Sequence, residues 1–274
     1  MYKRQVKIFA DHDYEVTVYP TRARLDCTRK VLEDAGRFDL VVCCGGDGTL
    51  NEMVSGMMQR QDRRPMGYIP LGSTNDLAVS LRLPTRVEEA ALRAVTGNEF
   101  HMDVGTLNDR YFNYIAAFGA FTETSYATPQ EIKNALGHLA YILEGVKSLG
   151  KILPIHVKIT ADDEQFEEDY LFGAVTNTIS LGGVLKLDPE KVLLDDGMYE
   201  LLLVKNPTNA LEAQAMLTAI MTQNFDGPLV KMFHASDITF ESSHEISWTI
   251  DGEYGGTFSH THILNNKNAV TLIV

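Results

Sequence analysis

Near residue 98 this 274-residue chain changes texture, and that change limits its folds more than any other feature. Before it, short apolar runs alternate with helical patterns: "YEVTVY", a helix through Val31 and Leu32, "FDLVVCC", a helix from Thr49, "MGYIP", and helices from Asn75 and Arg86. Such alternation predicts parallel strands joined by helical crossovers, an α/β domain with a parallel sheet over 1–97. After it, strands dominate and lengthen: "FHMDVGTLNDRYFNYIAAFGAF", "LPIHVKIT", "YLFGAVTNT", "MYELLLV", "DITFES", "EISWTIDGEY" and "NAVTLIV". Residues 98–274 are therefore expected to form a mostly antiparallel β-sandwich or barrel, with helical insertions around 130–149 and 207–223. Two cores suit this length better than one, since cores rarely grow past about 250 residues.

Composition narrows the setting. No run approaches the roughly 20 apolar residues that span a bilayer, and the opening "MYKRQVKIFADHDYE" has no apolar core of a signal peptide, so a soluble protein is expected. Cys27, Cys43 and Cys44 are odd in number, and the last two are neighbours in an apolar run, which suits buried thiols in a reducing cytoplasm. A formal charge of −13 repels a polyanion over most of the surface, so no nucleic-acid partner is expected.

The apolar run "FDLVVCC" ends in "GGDGTLNE" (45–52). A glycine turn between a buried strand and a helix start lets main-chain N–H groups converge where an anion is favoured. Phosphate is the natural guest, Thr49 is placed to cap the helix or meet a phosphate oxygen, and Asp47 to reach a Mg²⁺ bound to that phosphate. From the glycines alone a second reading stays open, a tight turn with Thr49 as N-cap. "YIPLGSTNDLA" repeats the design, with Gly72, Ser73, Thr74 and Asn75 between strand and helix. Two such loops at the ends of parallel strands can face one crevice, the place where open α/β sheets bind nucleotides.

"GGDGTLNE", then "PLGSTNDLA", then "DGE" at 251–253 resemble the diacylglycerol kinase catalytic-domain family, especially its soluble bacterial lipid kinases and, more distantly, sphingosine kinases. "MDVGTLNDRYFNYIAAFG", "EIKNALGHLAYILEGVKSL" and "VLLDDGMYELLLV" resemble family segments in family order, so the likeness covers nearly the whole chain. It implies an N-terminal domain like those of NAD kinases and phosphofructokinases, which share the G-G-D-G-[ST] loop, and an ATP- and Mg²⁺-dependent kinase acting on a lipid hydroxyl, with diacylglycerol the foremost acceptor. ATP would lie against Gly45, Gly46, Asp47, Gly48 and Thr49, with Ser73 where the family usually has threonine and Thr21 lining the same site. Glu253 would be the general base and Asp47 would hold Mg²⁺ or orient the phosphates, while Asp76 and Asp103 match members of an aspartate network. Asp196, with the carbonyls of Leu193 and Met198, matches a structural Mg²⁺ site. Without the resemblance, "TIDGEYG" reads as a hairpin turn with a solvated Glu253.

A lipid substrate implies transient peripheral contact with a membrane, at its inner face for a cytoplasmic protein; Lys133, Lys147 and Lys151 flank the apolar helix pattern around 130–149, a pattern that equally suits a core helix. Arg60, Arg63 and Arg64 suggest a small basic surface, and His260 and His262 fall short of a zinc set. The chain opens in what looks like the end of the family's first helix, so that family's first strand-turn-helix, about 30 residues, is expected to be lacking. An exposed sheet edge would then favour pairing with another chain, and a homodimer stays open. An NAD kinase or other small-molecule kinase, or a nucleotide-binding regulatory protein without transfer activity, are the alternatives.

Overall fold

A computed structural model describes residues 3–119, 153–181, 185–187 and 192–274. The apolar helix pattern around 130–149, with its flanking lysines, lies outside the described residues. The chain divides into two compact units, Met1–Val104 with Asn266–Val274, and Gly105–Asn265.

In the first unit, α1 (Lys3–Ala10), α2 (Asp26–Asp34), α3 (Asp47–Met58), α4 (Asp76–Ser80) and α5 (Val87–Thr96) accompany β1 (Val41–Gly45) and β2 (Met66–Pro70). β1 and β2 pair in parallel, Val41 opposite Met66 through Gly45 opposite Pro70. The two strands therefore end side by side, each followed by a glycine-containing loop and a helix. Val42, Cys44 and Ile69 project from one face onto α1 and α5, through Phe9, Ala90, Ala91 and Ala94. On α3, Leu50, Met53, Val54 and Met57 are fully buried, one apolar stripe at helical spacing. Gly56 lets α2 approach, because a Cβ there would meet Val31 Cβ at 2.9 Å.

The expected strand "YEVTVY" is absent. Residues 14–20 belong to no strand or helix, and Tyr14, Val16 and Val18 stay more than a third exposed. Alternation suits these residues to a strand, but a strand needs a hydrogen-bonded neighbour, and none of the described residues supplies one. The arginines of "QRQDRRPMG" also depart from expectation. Arg60 donates to Leu32 O at 2.5 Å, Arg63 to Ala269 O at 2.7 Å and Arg64 to Gly36 O at 2.9 Å, so they tie carbonyls within the unit instead of forming a basic patch.

The second unit is antiparallel. Its elements are β4 (Arg110–Phe112), β5 (Ile115–Gly119), β6 (Ile155–Ala161), β7 (Glu164–Thr176), β8 (Ser180–Leu181), β9 (Leu185–Lys186), β10 (Tyr199–Lys205), α6 (Ala210–Thr222), β11 (Val230–Ala235) and β12 (Asp237–Ile250). β5 pairs β7 and β12, β6 pairs the same two strands, and β7 continues through β10 to β11. Gly119 stands opposite Phe172 and Ile155 opposite Tyr170, so β5 and β6 lie end to end along β7. At that break Gly119 has φ +90, and a Cβ would strike Leu171 O at 2.4 Å. Trp248, Phe118 and Phe240 form the centre of the core, with ring centroids 4.9 to 5.6 Å apart.

Two long strands belong to both units. β3 (Glu99–Leu107) leaves the first and enters the second, and β13 (Glu253–Ile273) makes the return journey. Back in the first unit, Leu272 pairs in parallel with Met66 and is fully buried. Asn268 N–H donates to the buried Asp103 carboxylate at 2.7 Å, and Asn266 Nδ2 donates to Val104 O at 2.8 Å.

Candidate active site

The two glycine loops touch backbone to backbone. A Cβ on Gly72 would lie 2.7 Å from Gly46 Cα, and Leu71 N–H donates to Gly45 O at 2.8 Å. Only glycine lets the main chains approach this closely. The helix after the first loop begins two residues earlier than expected: Gly46 is the N-cap of α3, and Asp47, Gly48 and Thr49 form its first turn. A glycine N-cap has no side chain to satisfy that turn's N–H groups, which leaves a helix N-terminus suited to an anion. Thr49 is thus a first-turn residue, not the cap.

Asn75 shapes the second loop. It adopts the left-handed conformation, φ 52, tolerated by Asn better than by most side chains. Its Oδ1 accepts from Gly72 N–H at 2.9 Å and from Tyr68 OH at 3.2 Å, while its Nδ2 donates to Gly72 O at 2.8 Å. Ser73 and Thr74 stand exposed on the loop so held. Asp47 joins the loops from the other side. Burial pushes its carboxyl up from the usual range, against the downward pull of the backbone N–H groups of Asn75, Asp76 and Leu77. Its Oδ1 is buried with no hydrogen-bond partner, an orphaned hard oxygen beside a phosphate-type cradle, and so the residues present fit a magnesium ion carried in with a triphosphate.

A third segment converges here. Thr21 and Thr49 line one cavity of about 520 Å³, a volume in the range of ligand pockets. Thr21 is exposed, and its loop is tied to α3 by Glu52, whose carboxylate accepts from Leu25 N–H at 2.7 Å and Cys27 N–H at 3.2 Å. Glu52 thereby takes the place of a side-chain cap at the start of α2, where Leu25 supplies none. Asp26 fixes the same loop, accepting from Arg22 N–H, Tyr19 OH and Arg29, and the Arg29 guanidinium holds its carboxyl low. The structure therefore brings together Gly45 to Thr49, Ser73 and Thr21.

Glu253 belongs to the second unit. It begins β13 after the tight turn at Asp251 and Gly252, φ 48 and 81, and is exposed. The turn is rigidly held: Asp251 accepts from the N–H groups of Asn113, Tyr114 and Ile115 at 2.8, 3.1 and 3.1 Å. In the same unit, Leu193, Asp196 and Met198 share one turn. Asp196 Oδ1 accepts from Met198 N–H at 2.9 Å, Asn265 Nδ2 reaches Met198 O at 3.3 Å, and Asn177 Nδ2 reaches Leu194 O at 3.5 Å. Asn177 Oδ1 is buried and without a partner. One carboxylate, main-chain carbonyls and an orphaned amide oxygen around one turn are the oxygen donors a hard cation takes, so these residues also fit Mg²⁺. Asn75, Glu52, Asp251 and Asn177 all escaped the sequence reading. Asn75 and Asp251 stood inside motifs already singled out, and the left-handed preference of Asn was the one usable signal.

A chain with paired glycine loops on one unit and an antiparallel, strand-rich second unit has the architecture of a two-domain kinase, and comparison with known proteins defines which. Residues 1–107 match the diacylglycerol kinase catalytic domain, and residues 121–273 match the YegS C-terminal NAD kinase beta sandwich-like domain. A curated diacylglycerol kinase from Bacillus subtilis (strain 168) is 33% identical over 94% of this chain and 88% of its own. One from Staphylococcus saprophyticus is 33% identical over 89% of this chain and 80% of its own. A crystal structure from Bacillus anthracis str. Sterne, of a protein provisionally assigned as a diacylglycerol kinase, superposes with a TM-score of 0.82 at 26% identity, over 99% of this chain and 90% of that one. The chain belongs to the diacylglycerol kinase catalytic-domain family.

Proposed function

We propose that this chain is an ATP-dependent lipid kinase that transfers the γ-phosphoryl group of ATP to a lipid hydroxyl, with diacylglycerol as acceptor. The observation that carries this reading is the backbone contact between the two glycine loops at the ends of paired parallel strands, in a chain of this family. The parallel pairing also supports an N-terminal domain of the NAD kinase and phosphofructokinase kind.

In this reading Gly45, Gly46, Gly48 and Thr49 offer N–H groups and a hydroxyl to the triphosphate, and Ser73 and Thr21 add hydroxyls from their own loops. Asp47 holds the loops in register and turns its orphaned oxygen to the bound cation. Mg²⁺ bound with the triphosphate supplies neutralisation of its charge. The lipid oxygen attacks the γ-phosphorus, the bond from that phosphorus to the β–γ bridging oxygen breaks, and ADP leaves. A neutral alcohol is too weak an acid to ionise freely at pH 7, so Glu253 accepts its proton as the new P–O bond forms. Asp251 keeps the base in place by fixing its turn. The turn of Leu193, Asp196 and Met198 holds a second, structural Mg²⁺. A lipid acceptor requires transient contact with a membrane surface, and we place the protein in the cytoplasm, peripheral to the inner face.

The test supplies labelled ATP with diacylglycerol vesicles or with NAD. Phosphate is expected on the lipid; phosphate on NAD alone sinks the lipid reading. Glu253→Gln is expected to lower turnover by about 10²–10⁴-fold with ATP binding intact. Equal turnover in wild type and mutant removes the base role.

A further inference from the structure

Tyr14, Val16 and Val18 alternate as strand residues do, yet their segment belongs to no strand and they remain 37%, 39% and 49% exposed. The cavity of about 520 Å³ explains where their neighbour is wanted. One wall is Tyr14 to Thr21 and the facing wall is Leu40 to Cys44, which includes most of β1. β1 pairs β2 along one edge, and along the other no described strand meets it. Helices cover the space between the walls, α1 through Val6 and Phe9, α2 through Val31 and Ala35. Two main-chain walls bearing unpaired strand edges, roofed by apolar helix faces, leave the space of one missing ribbon.

We propose that this cavity is a slot for a single β-strand, an extended apolar segment of about five residues running parallel to β1 and joined to the N-terminal end of α1. The length matches β1, which has five residues. The direction follows from the parallel pairing of β1 with β2. The apolar character follows from the helices, because a strand covered by helices is a nearly continuous hydrophobic run. The attachment follows from handedness and position. A strand in the slot, then α1, then residues 14–20 make one right-handed crossover unit, the connection that parallel strands almost always use. A separate chain would have to thread beneath the same helices and give up its own freedom on binding. Filling the slot would cover Tyr14, Val16 and Val18, satisfy both edges, and fix the ends of the walls, where Thr21 and Gly45 stand. No part of this depends on the kinase reading.

The test adds to the start of α1 a Val/Ile segment of about five residues through a Gly/Ser connection of about eight, beside a matched extension with Lys and Glu at alternate positions. The readouts are amide exchange at Val41 to Gly45, alkylation of Cys44 followed by mass spectrometry, and Tm. The apolar extension is expected to slow both reactions by at least about tenfold and to raise Tm by several degrees, relative to the unextended and charged chains. The same rates and Tm in all three chains overturn the slot. Self-association of the unextended chain that protects the same amides overturns the attachment in favour of a second copy. Protection of Cys44 by ATP in the unextended chain, abolished by the apolar extension, also overturns the proposal, because the cavity would then be a nucleotide pocket.

Discussion

Asp251 gathers three main-chain donors onto one carboxylate, and they come from residues 136 to 138 positions earlier in the chain. Charge-assisted hydrogen bonds of this kind are roughly twice as strong as neutral ones, so Asp251→Ala is expected to cost about 3 kcal/mol of stability, read as a shift in urea midpoint. Turnover should fall further than stability alone dictates, since the turn that presents Glu253 loses its anchor. The sequence marked "DGE" as a turn and a base, but no local pattern says that Asn113 to Ile115 hold it. A second residue-scale expectation concerns pH. Burial, reinforced by the carboxylates of Glu52 and Asp26, pushes the Cys27 thiol up to about 11. The folded chain therefore keeps a proton that the unfolded chain loses near pH 8.5, so stability from this group is full below that pH and declines as pH rises through about 11. Cys27→Ala should flatten that part of the urea-midpoint profile between pH 8 and 11. Alkylation of Cys27 in the native protein at pH 8 should be slower than that of a free thiol by on the order of a hundredfold.

Between elements, the site rests on the contact of Gly46 with Gly72. A Cβ at position 72 would meet both Gly46 Cα and Asn75 Oδ1 at 2.7 Å, so the main chain, not a flexible side chain, would have to give way. Gly72→Ala is expected to lower stability by about 1–3 kcal/mol and to weaken ATP binding measured by calorimetry, whereas Thr74→Ala, on an exposed position of the same loop, should leave stability nearly unchanged. Unchanged ATP affinity in Gly72→Ala would separate the loop contact from nucleotide binding. Both loops were legible because strand, glycine and helix start occur in sequence order. The true start of α3 was not, because a hydroxyl at Thr49 looks like a cap and a glycine N-cap carries no side-chain signal. "YEVTVY" was misread for a related reason: alternation reports what a segment can become, and pairing depends on a neighbour that no local pattern contains.

For the whole molecule, the change of texture near residue 98 correctly announced a strand-rich second half, yet it could not show that β13 runs 21 residues and ends in the first unit. "NAVTLIV" has the composition of any apolar strand, and its partner Met66 lies some two hundred positions away in sequence. Ala269, Val270 and Leu272 are buried there, and Arg63 holds the Ala269 carbonyl. Removal of residues 266–274 is therefore expected to lower the first unit's melting temperature and abolish ATP binding, although none of the predicted nucleotide contacts is deleted. Supplying the nine residues as a separate peptide should restore part of both. Retained ATP affinity in the shortened chain would show that the glycine loops fold without their last strand.

Because β13 closes the sheet that β1 and β2 begin, the order of synthesis has a consequence. The glycine loops leave the ribosome early, but the strand that completes their support leaves last, so the nascent chain has no finished ATP-binding unit while the second unit is being made. Competence arrives in a single late event, and a ribosome stalled anywhere in the second half yields a product unable to consume nucleotide.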